Sequence, residues 1–136
     1  MKLQDFDFRI WNTACKKYID DVGLISNIMC DLIHSATDII EDFEIELWTG
    51  YFDKNGNKIY ENDIIKNESL EELYHITRDN TYKMFKIIIY DKDCNENLYR
   101  KKNPADINLL KMLVSDKNMS VIGNIHENKE LLNVRL

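Results

Sequence analysis

At 136 residues and a formal net charge of −6, the chain is long enough to bury one ordinary core and too acidic overall to hold phosphate backbones by counterion release. A hydrophobic share of 44% beside 31% charged residues excludes a disordered chain, and no segment reaches the length that spans a bilayer. Three cysteines (Cys15, Cys30, Cys94) at wide spacing fit neither a disulfide framework nor a zinc site.

These totals lead to the expectation of a single cytosolic domain over residues 1–136 with reduced thiols. Its first element comes from "DFDFRIW", which alternates Phe6, Phe8 and Ile10 with Asp5, Asp7, Arg9 and Trp11, the period-two signature of a half-buried strand. From Leu24 the period changes. Ile25, Ile28, Met29, Leu32, Ile33, Ala36, Ile39, Ile40 and Phe43 recur at three and four, which reads as an amphipathic helix; the β-branched content leaves a pair of strands as the alternative. "FEIELWTGYF" then returns to alternation.

Asn55-Gly56 is the strongest short-range hairpin signal in the chain, since a type I′ turn needs positive φ at both central residues. Asn62 is the residue to place at a left-handed position in the next turn. "SLEEL" carries a capping box, Ser69 with Glu72, which predicts one helical turn interrupting the sheet. "YKMFKIIIY" (Tyr82 to Tyr90) is a strand, "DKDCNEN" a polar turn and "LYR" a short return strand. In "NPADINLLKMLVSDKN", Asn103 reads as N-cap, Pro104 as first helical residue and Asp106 as first-turn acid, with Ile107, Leu110, Leu113 and Val114 on one face. The chain closes with a strand containing Gly123, which permits a bend or bulge, and a turn that Asn128 can cap.

Three stretches carry a family resemblance. "FRIWN", "WTGYFDKNGNKIYENDII" and "VIGNIHENKELL" resemble, in that order, the signatures of the YopX family of bacteriophage and prophage proteins. The resemblance implies a mainly β (α+β) fold: coiled antiparallel sheets with an SH3-like barrel, plus one or two helices. The family offers no agreed catalytic residues to carry over and no cofactor is expected, so the motif positions Trp11, Thr49, Gly50, Asp53, Asn55, Gly56, Ile59, Tyr60, Asp63, Gly123 and Asn124 read as fold determinants first. Asn62 stands where the family has Gly and tolerates positive φ best among the alternatives, and Lys129 replaces Pro in the last turn.

The candidate sites are few. "DKDCNEN" begins like a calcium loop with Asp91, Asp93 and Asn95, but Glu96 stands where Gly is needed and Lys102 where the closing Glu must be, so no metal is expected. His34 has only Asp38 at ligand spacing, and His75 and His126 stand alone. No nucleophile with its base and no phosphate loop occurs, which points away from an enzyme. Trp48, Tyr51, Phe52 and Tyr60 cluster beside the hairpin, as core packing or as an anchor for a partner. Arg100, Lys101 and Lys102 form a candidate anion contact.

The leading expectation is therefore a phage-encoded binding protein of the host cytoplasm that meets a host protein, as in takeover or inhibition of a nucleic-acid-binding defence enzyme, or meets itself as a homo-oligomer. The alternative is a homo-oligomer sequestering a small nucleotide signal, with aromatics on the base and the basic triple on phosphate. A replication or transcription accessory protein is third, since the net charge opposes direct nucleic-acid binding and no membrane is involved.

Overall fold

Isoleucine-rich alternation decides the larger of the two units into which the chain folds, residues 48–136, and the smaller unit, residues 1–47, is built on the strands paired with Phe8–Asn12 and one helix. The structure, a computed structural model, describes residues 2–34, 42–79 and 84–133.

In the smaller unit, a 3-10 turn (Leu3–Asp5) leads into β1 (Phe8–Asn12), which pairs antiparallel with β2 (Lys17–Tyr18) and with the first half of β3 (Phe43–Phe52). Ile10 and Trp11 are both buried, on opposite faces of β1; Trp11 keeps the Arg9 side of the alternation, where it packs edge-on against the Tyr18 ring at 4.9 Å and Arg9 lies 4.5 Å from the same ring. Helix α1 (Val22–Ile33) starts where the Asp21 carboxylate accepts the amide hydrogens of Gly23 at 2.8 Å and Leu24 at 3.2 Å, satisfying donors that the first turn leaves free. The helix expected to run to Phe43 is shorter: α1 ends at Ile33, Phe43 opens β3, and residues 35–41 lie outside the described residues.

The larger unit holds a six-stranded antiparallel sheet: β10 (Met119–Asn124), β5 (Asp63–Asn67), β6 (Glu72–Arg78), β7 (Phe85–Lys92) and β8 (Leu98–Arg100) in order, with β9 (Ala105–Asp106) on β7 beside β8. The second half of β3 pairs with β4 (Lys58–Tyr60). The fold is mainly β with two helices, and the coiled sheet is strongly curled into a half-barrel. Alternate residues of β6 turn inward, Tyr74 and Ile76, and meet Ile59, Ile65, Ile87 and Met119. Helix α2 (Asn108–Asp116) lays Leu110 and Leu113 onto this cluster. Each fully buried Ile or Leu of this kind contributes about 1.5–3 kcal/mol of transfer free energy.

Several local expectations are corrected. Asn103 and Pro104 do not start a helix, because Ala105 and Asp106 pair with Ile87 and Lys86 first; the Asp106 carboxylate then accepts the Asn108 amide at 2.9 Å and the helix begins there. Val114 is 36% exposed, and Leu109 takes its place against the core. Ser69 and Glu72 form no helical turn: Glu72 opens β6, and Asn67 closes the reversal by accepting the amides of Ser69 (3.0 Å) and Leu70 (3.2 Å). In the turn between β4 and β5, Asn62 adopts φ +69°, the left-handed conformation expected of it.

Candidate functional site

The hairpin between β3 and β4 is organised by one carboxylate. Asp53 accepts the amides of Asn55 and Asn57 on Oδ1, each at 2.9 Å, while Oδ2 accepts the Val121 amide of β10 at 2.9 Å and the Asn57 side-chain amide at 3.3 Å. Burial pushes this carboxyl up, but the hydrogen bonds from Val121, Asn57 and Asn55 together outweigh it and hold Asp53 below its ordinary value.

This chemistry corrects the turn type. Gly56 donates to the Asp53 carbonyl at 3.1 Å and alone takes positive φ (+81°), whereas Asn55 keeps a negative φ, so the turn is right-handed with a left-handed exit and not type I′. "DCNEN" repeats the arrangement. Asp93 Oδ1 accepts from Asn95 and Asn97 at 2.9 Å each, and Glu96 occupies the left-handed exit at φ +61°. The residues that start like a calcium loop thus share the turn design of the family motif.

Within the aromatic group the structure divides the side chains. Tyr51 packs against the core, and Tyr60 is half-buried opposite Trp48. Phe52 is 44% exposed and meets the half-buried Trp48 at 5.4 Å in an edge geometry. Lys58, opposite Phe52 on β4, holds its ammonium 4.5 Å from the Trp48 ring centroid. The indole N–H donates to the Tyr51 carbonyl at 3.0 Å, and beside it the Thr49 hydroxyl donates to the Ile59 carbonyl at 2.8 Å across the ladder. The register shifts between Trp48 and Phe52, where Gly50 takes φ +90°, and the two rings meet on one side of the strand.

The remaining motif residues serve the frame. The buried Asp63 carboxylate accepts the Tyr60 amide at 2.8 Å. Asn62 receives the Ile125 amide on its carbonyl at 3.0 Å and meets His75 Nε2 at 3.2 Å. Gly123 sits at the bulge of β10, where a Cβ would lie 2.4 Å from Asn128 Oδ1; that oxygen accepts the Asn124 amide at 3.2 Å. Asn128 therefore does not cap the terminal 3-10 turn (Lys129–Leu132), as its side chain points back to Asn124. Asn124 in turn accepts from His126 and Glu127.

A concave site formed by distant segments has no counterpart in any linear motif. Beside α2 lies a cleft of about 440 Å³ walled by Leu70, Leu109, Met112 and Leu113. Its polar side carries Tyr74, whose hydroxyl accepts from the Asn67 amide at 3.1 Å, and Glu72, whose Oε2 lies 3.1 Å from Lys101 Nζ. Of the basic triple, Lys101 is thus held by Glu72, with Asp91 at 3.7 Å, while Arg100 and Lys102 are exposed. The Glu72 hydrogen bond and the neighbouring carboxylates raise the Lys101 pKa. The sequence hint was Met112, apolar yet off the buried stripe of its helix.

Cys15, Cys30 and Cys94 are exposed free thiols, and His34 is exposed; its sequence neighbour Asp38 lies outside the described residues. Among the described residues no helix is long and apolar enough to cross a membrane.

Set against known families, residues 7–133 match the family described as "YopX protein". Among solved structures, the chain is similar to the crystal structure of protein EF1440 from Enterococcus faecalis, at 20% identity over 94% of this chain and 98% of that one, with a TM-score of 0.48. Comparison with curated proteins returned no match.

Proposed function

The chain belongs to the YopX family, and from that premise we propose that it is a phage-type binding protein without chemistry of its own, which docks the aromatic edge of its β3–β4 hairpin onto a host protein. The carrying observation is Phe52, 44% exposed yet set edge-on against a hydrogen-bonded Trp48 that Lys58 covers from β4. Rigid aromatic surface lost to water is what anchors protein interfaces, because little side-chain entropy remains to be lost on docking. The net charge of −6 suits a partner with a basic face, as a nucleic-acid-binding defence enzyme of the host cytoplasm has.

The test is capture of partners from prophage-bearing cells followed by native mass spectrometry, with wild-type protein and Phe52→Ser side by side. A host protein in defined stoichiometry, lost from Phe52→Ser, supports the reading. A homo-oligomer with no host protein, or a complex indifferent to Phe52, overturns it. Where the captured protein is a nuclease, its unchanged activity under excess of this protein rejects the inhibitory form of the proposal.

A further inference from the structure

The cleft beside α2 lies apart from the residues used above, and its chemistry is more specific than an apolar groove. Its volume of about 440 Å³ falls in the range of small-molecule sites, about 300–1,000 Å³. Leu70 and Met112, 62% and 65% exposed, stand at its mouth, and Leu109 and Leu113 line it deeper. Large apolar side chains flanking a concavity leave a flat apolar body as the best filling, and the Met112 thioether favours an aromatic one.

The polar side sets the sign of the ligand's charge. Glu72 and Lys101 are the charged lining residues, and Lys101 is shared between Glu72 Oε2 and Asp91 Oδ2. Two carboxylates around one ammonium leave an excess of negative charge beside the cleft. Among the described residues, Glu72 meets Lys101 through Oε2, which leaves Oε1 for a donor from a ligand. Burial raises the Tyr74 pKa, opposed by the Asn67 bond and reinforced by Glu72, so its hydroxyl stays protonated beside the site. An anion would face a carboxylate whose counter-ion is already engaged, whereas a cation gains a charge-assisted bond.

We propose that this cleft binds a small amine carrying a flat aromatic body, its ammonium on Glu72 and its ring between Leu70 and Met112. The inference does not rest on the hairpin face and stands whether or not that face docks a protein.

The probes are tryptamine and its anionic counterpart indole-3-acetate, titrated into methyl-labelled full-length protein and followed by NMR. Tryptamine is expected to shift the Met112, Leu70 and Leu113 methyl signals saturably, and indole-3-acetate to bind at least about tenfold more weakly. Glu72→Gln should abolish that preference. Met112→Ala, at a 65% exposed position, should weaken tryptamine while leaving the spectrum of the β-sheet intact. Equal binding of the two probes, shifts confined to the hairpin, or no saturable shift at millimolar tryptamine would each overturn the assignment.

Discussion

The Asp53 carboxylate takes the Val121 amide hydrogen at 2.9 Å across 68 positions of sequence, joining the hairpin to the last strand of the sheet. The same side chain closes its own turn through Asn55 and Asn57, so one buried anion answers donors on two elements. Hydrogen bonds to a charged acceptor contribute about 1.5–3 kcal/mol, and removing the carboxylate takes that acceptor from the amides of Asn55, Asn57 and Val121. Asp53→Ala should therefore destabilise the protein by about 2–4 kcal/mol, read from the urea midpoint.

The lowered Asp53 pKa also fixes a pH dependence. In the unfolded chain this carboxyl titrates at its ordinary value of 3.8, and in the folded chain lower. Its contribution is therefore fully present above 3.8 and is lost as pH falls through the folded value, because the unfolded chain binds the proton first. Wild type should lose more stability than Asp53→Asn when denaturation at pH 7 is repeated near pH 3; equal losses would refute the assignment to Asp53.

Gly123 is a matter of space. A Cβ there meets Asn128 Oδ1 at 2.4 Å, so Gly123→Ala should cost about 1–3 kcal/mol. Adding Asn128→Gly removes the obstructing side chain, and the double variant should be more stable than the two single losses add up to. A strictly additive cycle would mean that the clash is not the cause.

The paired turns predict opposite outcomes at equivalent positions. Gly56 and Glu96 occupy the same left-handed exit, at φ +81° and +61°. Gly56→Ala should destabilise by about 1–2 kcal/mol, while Glu96→Gly should stabilise by up to about 1 kcal/mol. Thermal midpoints moving in opposite directions are the check.

Surface and core should separate cleanly. Phe52→Ser is expected to change stability by about 0.5 kcal/mol or less, although it removes an aromatic ring. Ile76→Ala, at a residue with 0% exposure, should cost about 2–5 kcal/mol. Chemical denaturation of both variants distinguishes them, and a large loss from Phe52→Ser would move that ring into the folding core.

Conformational preferences carried by one residue were legible in the sequence. Asn62 took the left-handed position expected of it, and the hairpin lies where Asn55 and Gly56 place it. What the local signal missed was competition from elsewhere. Asp53 reshaped the turn around its own carboxylate, and ladder pairing of Ala105 with Ile87 overrode the helix start at Asn103 and Pro104. Ser69 and Glu72 lost their capping box because Glu72 was drawn into β6 beside Asn67. The cleft was hinted at in the sequence by Met112 alone, since Leu70, Tyr74 and Lys101 come from separate segments that only the sheet and α2 gather.

The pairing of β10 with β5, fastened by Val121 on Asp53, bears on the order of events during synthesis. Strand β5 and the hairpin emerge from the ribosome with their ladder edge and their carboxylate unanswered, and everything between them and β10 must be made before either finds its partner. Contacts of such long sequence separation form late and slowly. For that interval the nascent chain exposes a strand edge open to other chains, so a pause in translation before residue 119 would lengthen its exposure to chaperones and to aggregation.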